Sequence, residues 1–118
     1  MLLNLSNHPS ANWPSMQLQA ALEQYGKIQD IDFPHIDPHW AADEVLQLAE
    51  NYYSSIKKSV PYSAAVHIMG ELTFTFALVQ KLKAAGIPCI ASTTERKIIN
   101  EENGNKTSAF TFVRFRQY

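Results

Sequence analysis

The alternation of apolar and polar residues predicts an α/β fold organised around one central βαβ unit. Ala64 to Met69 is a short apolar run, typical of a parallel strand buried on both faces. A helical repeat of apolar residues follows and ends at Gly86, a residue that readily adopts the left-handed conformation of a helix end. The members of this repeat are Leu72, Phe76, Val79 and Leu82. A second apolar run, Ile87 to Ala91, then returns the chain to the sheet.

This unit predicts where a ligand would bind. Crossovers between parallel strands are right-handed almost without exception, so the carboxyl ends of both strands meet at one edge of the sheet. Open α/β sheets bind ligands at that edge. We therefore expect Met69, Gly70 and Glu71 to lie beside the polar run from Ser92 to Arg96, which we interpret as a loop after the fourth strand.

The amino-terminal half predicts two more strands and two more helices. Leu2 to Ser6 is apolar and predicts a central first strand, followed by a loop punctuated by proline and a helix from about Ser15 to Tyr25. Lys27 to Phe33 predicts a second strand. Asp37 and Pro38 are typical of a helix start, with Asp37 as the cap, and predict a helix that runs to about Lys58.

The carboxyl-terminal segment predicts a β-hairpin. Lys97 to Asn100 and Thr107 to Phe115 are separated by the dipeptide Asn103-Gly104, which favours a tight turn. The complete pattern predicts a single Rossmann-like domain over residues 1–118, with a mainly parallel sheet, helices on both faces and a C-terminal antiparallel hairpin.

Composition restricts the classes of function. The 118 residues fit one domain, and a formal net charge of -1 disfavours a protein that coats duplex nucleic acid. The one cysteine, Cys89, lies in an apolar run and excludes an intrachain disulfide. Neither a leader peptide nor an apolar run long enough to span a membrane is visible, so we expect a cytoplasmic protein without a membrane partner.

The chain lacks the common signatures of cofactor and metal enzymes. It has no glycine-rich phosphate loop, no HExxH motif and no serine nucleophile elbow. His35 and His39 flank Asp37 at a spacing that superficially resembles a metal site, but Pro38 prevents a shared helical face, and capping by Asp37 is the preferred interpretation. We therefore predict neither a metal nor a cofactor.

Polar residues at the predicted ligand edge are the candidates for chemistry. His8 follows the first strand and is a better acid-base candidate than His67, which we interpret as a buried histidine of the core. Glu71 lies at the start of a helix at this edge. It could therefore cap the helix or contact a ligand, and we weigh the two roles equally. The run from Ser92 to Arg96 offers hydroxyl groups and a guanidinium that can hydrogen-bond to phosphate or ribose. A run of this composition is more often an ordinary solvent-exposed loop.

The last strand carries a possible anion-binding face. Alternate residues from the Phe110 position onward would share one face that changes from aromatic to basic. The residues concerned are Phe110, Phe112, Arg114, Arg116 and Tyr118. The same pattern is explained at least as well if this is an edge strand whose charged residues prevent aggregation and bind no anion.

Four segments resemble a known family. NHPSANW after the first strand, HIMGELTFTFALV, IASTTER and the closing FVRFRQY together are similar to small CRISPR-associated proteins of type III systems. These proteins are single-domain relatives of the CRISPR-associated Rossmann fold (CARF), and they include ring nucleases and non-cleaving sponges for cyclic oligoadenylate. The resemblance implies a homodimer that binds cyclic tetra-adenylate across its two-fold axis.

The resemblance also implies roles for individual residues. The ligand-binding positions that it suggests, together with the basic residues of the last strand, are Asn7, Ser10, Trp13, Gly70, Thr73, Thr93, Thr94, Arg114 and Arg116. At these same three positions, our candidates for catalysis are His8, Glu71 and Arg96.

Three functions remain open from the sequence. In the first, a ribose 2′-hydroxyl attacks the neighbouring phosphate without a metal, while His8 moves the proton and Arg96 holds the phosphate. In the second, the same loops only sequester the messenger. In the third, the protein is an interaction module without a nucleotide ligand.

Aromatic content suggests a dimer independently of the resemblance. The chain has more large aromatic residues than we expect for a monomeric domain of this size, among them Trp13, Trp40, Phe74 and Tyr118. Packing of these residues in the hydrophobic core is the competing explanation.

Overall fold

The computed structural model describes residues 1–59 and 64–118. It contains five strands, three α-helices and one short 3₁₀ turn at Ser10–Asn12. The strands are β1 (Leu2–Ser6), β2 (Ile28–Asp32), β3 (Ala65–Met69), β4 (Cys89–Asn100) and β5 (Lys106–Gln117). The helices are α1 (Ser15–Tyr25), α2 (Ala42–Ser59) and α3 (Leu72–Ala84).

The strands form one mixed sheet in the order β2-β1-β3-β4-β5. The pairs β1–β2, β1–β3 and β3–β4 are parallel, and β4–β5 is antiparallel. The predicted pairing of the two strands in the central βαβ unit is confirmed, since Val66 and His67 pair with Cys89 and Ile90. The α/β class, the central first strand and the C-terminal antiparallel pair are confirmed as well.

Two cores, one on each face of the sheet, hold the helices. Leu5, Val66 and Ile68 pack against buried residues of α2 and α3, such as Ala49 and Phe74, on one face. On the other face, a smaller core joins Ala21 of α1 to Trp13 and to Phe112 and Phe115 of β5. Helices therefore cover both faces, as the sequence predicts.

The start of α2 differs from the prediction. The Asp37 carboxylate accepts a hydrogen bond from the His39 amide at 2.9 Å and forms a local turn, while the helix begins at Ala42. Asp37 is therefore not the cap of this helix. Its side chain satisfies an amide two residues ahead, a common alternative for aspartate before an exposed loop.

The buried face of α3 also differs from the predicted repeat. Val79 and Leu82 are buried, but Leu72 is 81% exposed and Phe76 is 65% exposed. Phe74 and Leu78 lie in the core instead. The helix is apolar nearly all round, so its periodicity did not identify the buried side.

The largest departure concerns the run from Ser92 to Arg96. It is not a loop: β4 continues through it to Asn100 and pairs with β5 along its whole length. Its threonines and the isoleucines that follow favour an extended strand, and an exposed ribbon needs no apolar alternation. The distal part of this hairpin, from Thr94 to Val113, is called the arm below.

The arm makes the molecule elongated. The radius of gyration is 16.3 Å, compared with about 13 Å for a compact domain of 100 residues. The turn prediction at Asn103-Gly104 is confirmed, because Gly104 has a φ of 82° and its amide donates to Glu101. The Glu101 amide bonds to Asn105, so the hairpin closes with a three-residue loop.

A β-bulge changes which residues of β5 share a face. Thr93 pairs with Arg114 and Thr94 pairs with Phe112, so β5 has one extra residue, Val113. Phe112 and Phe115 consequently lie in the same core. Arg114 and Arg116 alternate with Phe115 and do not share the face of Phe112, so the predicted aromatic-to-basic face is wrong.

Candidate functional site

The strand order places a crevice at the carboxyl ends of β1 and β3. The helix after β1 lies on one face of the sheet and the helix after β3 lies on the other, which opens a gap where ligands bind in folds of this order. Two adjoining depressions of about 270 and 320 Å³ lie beside this point, over the carboxyl ends of β1 and β2 and the loop after β2, and the second reaches Glu71 after β3. They share Asn7 and Phe33, and Asp32 and Glu71 line them from the ends of β2 and β3.

The loop after β1 is fixed by bonds to the carbonyl oxygen of His8. This oxygen accepts from Asn4 Nδ2 at 2.9 Å, from Trp13 Nε1 at 2.9 Å and from Ser6 Oγ at 3.1 Å. The backbone of His8 is thus anchored, and its imidazole lies on the exposed side of the loop. Trp13 is buried, so its indole serves the core and this anchor.

A row of polar side chains crosses the sheet beneath that loop. Asp30, Asn4 and His67 are register partners on β2, β1 and β3 and so lie side by side. Asn4 Nδ2 donates to Asp30 Oδ1 at 2.8 Å, and Asn4 Oδ1 lies 3.0 Å from His67 Nδ1. His67 Nε2 lies 3.2 Å from Ser92 Oγ, which completes the row.

The contacts of Asn4 fix the tautomer of His67. The Asn4 amide nitrogen faces two oxygen acceptors, of His8 and Asp30, so its oxygen faces His67 and must accept from Nδ1–H. Nε2 is then free to accept from the Ser92 hydroxyl. His67 is therefore a hydrogen-bonded histidine of the core, as predicted.

Burial and charge set the pKa values along this row. Burial, with a smaller effect from nearby His8, lowers the pKa of His67 from 6.5 to about 4. Desolvation alone would raise the pKa of Asp30, but hydrogen bonds from Asn4 and Ser10 outweigh it and hold the pKa below its usual value. The row thus carries a carboxylate at its surface end and a neutral imidazole inside.

Glu71 caps α3. Its carboxylate accepts from the Thr73 amide at 3.0 Å and from the Phe74 amide at 2.8 Å, and the Thr73 hydroxyl donates to it as well. The Phe74 amide and the Thr73 hydroxyl are the main causes of the lowered pKa of Glu71. The capping interpretation is confirmed, and the same carboxylate borders the crevice.

Gly70 allows an aromatic ring to reach the crevice. A Cβ atom at this position would collide with the ring of Phe33. Phe33 also packs edge-on against Phe74, with ring centroids 5.3 Å apart. The absence of a side chain at Gly70 thus brings the loop after β2 onto the start of α3.

The predicted residues fall into two groups. The crevice group has Asn7, Gly70 and Glu71 at or beside the depressions, with His8, Ser10, Trp13 and Thr73 on the adjoining segments. The hydroxyl of Ser10 donates a hydrogen bond to Asp30, and the hydroxyl of Thr73 donates one to Glu71.

The second group lies on the β4–β5 hairpin. Arg96 donates to Ser108 Oγ at 3.0 Å, and Thr93 Oγ1 bonds to the backbone of Arg114. Arg114 and Arg116 border a separate depression of about 440 Å³ beside α1. Thr94 pairs with Phe112 across the hairpin. No hydrogen bond or ion pair among the described residues links this group to His8 or Glu71.

Sequence reasoning missed Asp30, Asn4 and Asp32. The first three strands each contain a polar residue near the middle, and that coincidence was the available signal for the first two. Asp32 ends β2 at the crevice, and its carboxylate forms no hydrogen bond with any residue in the described ranges.

Two searches of the described residues bear on metals and membranes. In residues 1–59 and 64–118, no group of three or more His, Cys, Asp or Glu side chains could hold a metal ion. His39 Nδ1 lies 3.0 Å from Asp37, and both side chains are exposed. No helix in these same ranges is long and apolar enough to cross a membrane.

Comparison with known proteins gives a family for the chain. No curated protein matches the sequence significantly. A family model matches residues 1–116, which is nearly the whole chain. The chain therefore belongs to the family described as "Uncharacterized protein MJ1673 family".

Proposed function

We propose that the protein binds cyclic oligoadenylate, most favourably cyclic tetra-adenylate, across a homodimer axis and removes this messenger of type III CRISPR defence by metal-independent ring cleavage. The observation that carries the proposal is the crevice at the carboxyl ends of β1 and β2, beside the β1/β3 switch point, where the carboxylate of Asp32 forms no hydrogen bond within residues 1–59 and 64–118. In dinucleotide-binding sheets an acidic side chain near the crevice hydrogen-bonds a ribose hydroxyl, and we assign the same contact to Asp32.

The charges of the two site groups suit different parts of a nucleotide. The crevice is acidic, with Asp30, Asp32 and Glu71, so it suits ribose hydroxyls and base amino groups better than phosphates. The hairpin supplies cations, among them Arg96, which can pair with phosphate oxygens. We therefore assign riboses to the crevice and phosphates to the hairpin side.

Cleavage would need no metal and no covalent enzyme intermediate. A ribose 2′-hydroxyl loses its proton and attacks the adjacent phosphorus, the bond from phosphorus to the 5′-oxygen breaks, a 2′,3′-cyclic phosphate forms, and the proton passes to the leaving 5′-oxygen. His8 would transfer that proton and Arg96 would hold the phosphate. Because these two residues lie on separate elements, a ring shared by two protomers is the simplest way to reach both.

A specific observation favours the sponge as the second candidate. The carboxylate of Glu71 is occupied by two amides and a hydroxyl, and its lowered pKa makes it a poor base. Sequestration needs the crevice and the cations but no base.

One experiment separates these functions and the interaction module. Purified protein is titrated with cyclic tetra-adenylate in a calorimeter, and the mixture is then resolved chromatographically. A heat of binding together with linear cleavage products indicates a ring nuclease. A heat of binding with the cyclic ligand recovered intact indicates a sponge. The absence of heat at concentrations where the protein is folded would reject the nucleotide ligand.

Variants test the assigned contacts. Arg96→Ala should weaken binding by about 1.5 to 3 kcal/mol, the scale of a hydrogen bond to a charged group. Ser108→Ala is the matched control, because it removes the protein partner of Arg96 and keeps the guanidinium. Asp32→Asn should weaken binding while Asp43→Asn on α2 should not. His8→Ala should slow cleavage and leave affinity nearly unchanged.

A further inference from the structure

The arm exposes features that a monomer leaves without a partner. β5 is an edge strand of twelve residues, and its unpaired backbone faces solvent. Ile98 is 61% exposed and Phe110 is 67% exposed, and the uncharged run from Thr107 to Val113 contains neither proline nor glycine. A two-stranded ribbon is marginally stable by itself, and an uncharged edge readily pairs with another strand.

Lys106 stands at the tip end of this edge, and the remaining protection lies at its root, the end nearest the sheet. The bulge at Val113 and the charges of Arg114 and Arg116 lie there, and such features usually prevent edge pairing. The distal part of β5, from Thr107 to Phe112, has no such feature. The exposed edge is therefore available for a strand to pair with it.

The charges on the arm and at its root indicate which strand fits. The tip carries Glu101 and Glu102, offset in part by Lys106, and the root carries Arg114 and Arg116. None of these four side chains forms an ion pair within residues 1–59 and 64–118. A second copy laid antiparallel along this edge brings each acidic tip beside the other basic root, whereas a parallel copy would oppose like charges.

We propose that β5 pairs antiparallel with β5 of a second copy, about a two-fold axis near Ala109, so that the acidic turn of each arm lies beside the basic root of the other. Lys106 then lies beside an uncharged phenylalanine, Phe112 of the second copy. The two sheets become one continuous sheet.

This arrangement also deepens the proposed function, on which that part of the inference rests. β4 leaves the sheet at its carboxyl edge, so pairing the two arms places the bodies at opposite ends with their carboxyl edges facing each other. A ring ligand with two-fold symmetry fits such a space.

Charge swaps test the interface without any nucleotide. Sedimentation equilibrium of the wild-type protein should show a dimer at micromolar concentration. The tip variant Glu101→Lys/Glu102→Lys and the root variant Arg114→Glu/Arg116→Glu should each weaken self-association about tenfold or more, because each opposes like charges. Mixing the two variants should restore dimers, since both contacts are then complementary.

Controls keep the outcome decisive. Lys57→Glu/Lys58→Glu reverses two charges on the last turn of α2 and should leave the dimer intact. Circular dichroism verifies that every variant is folded. A monomeric wild-type protein would overturn the proposal, as would dimers that survive both swaps or variants that fail to recombine. If the protein dimerises but gives no heat of binding with cyclic tetra-adenylate, the nucleotide function is rejected while the dimer interface is supported.

Discussion

The pH dependence of stability tests the buried polar row most directly. His67 is 2% exposed, with its ring between the edges of Trp13 and Phe115 at centroid distances of 5.2 and 5.7 Å. Its Nδ1–H donates to Asn4, so the neutral imidazole is already satisfied. A proton added at Nε2 would place a charge in this apolar surrounding, which is why the pKa falls from 6.5 to about 4.

The sign and size of the effect follow from that difference. The unfolded chain binds the proton of His67 more tightly than the folded chain does. The contribution of neutral His67 to the free energy of unfolding is therefore fully present above pH 6.5 and is lost as the pH falls to about 4. At about 1.4 kcal/mol for each unit of pKa, the full loss is about 3 kcal/mol. The lowered pKa values of Asp30 and Glu71 mean that both carboxylates contribute stability, which is lost mainly below this window.

Urea denaturation at pH 7, 6, 5 and about 4 measures this loss. The wild-type protein should lose about 3 kcal/mol of unfolding free energy across the series, and His67→Gln should lose much less because it cannot titrate. A nuclear magnetic resonance titration of His67, identified by its missing signal in the variant, should give a pKa near 4. Equal pH slopes for the two proteins, or a pKa near 6.5, would refute the argument from burial.

Three further substitutions test neighbouring contacts by chemical denaturation. Asn4→Leu should cost about 1 to 3 kcal/mol because it leaves the His67 Nδ1–H without an acceptor, and Asn4→Leu/His67→Leu should cost less than the sum of the single changes; simple additivity would disprove the coupling. Glu71→Ala should cost about 1 kcal/mol by removing the cap of α3, and an unchanged denaturation midpoint would contradict that role. Gly70→Ala should cost about 1 to 3 kcal/mol through collision with Phe33, and the penalty should shrink in a Phe33→Leu background; an equal penalty in both backgrounds would point to another cause.

The sequence determined the elements whose signals are local. The apolar runs of β1 and β3, the glycine that ends α1 and the dipeptide of the hairpin turn depend only on neighbouring residues, and all were predicted correctly. The strand and helix order then constrained the topology, because crossovers have one hand. The crevice at the carboxyl edge follows from that topology, and so does the presence there of Asn7 and Glu71.

Only the tertiary structure decided features that depend on distant partners. β4 continues through Ser92 to Arg96 because β5 pairs with it, and a polar run carries no local mark of that pairing. The bulge at Val113 moved Arg114 and Arg116 off the face of Phe112, since one extra residue reverses strand parity. Asp30, Asn4 and His67 became one row because the register of three strands aligned them. Register is a property of paired strands, so no single segment of the chain contains it.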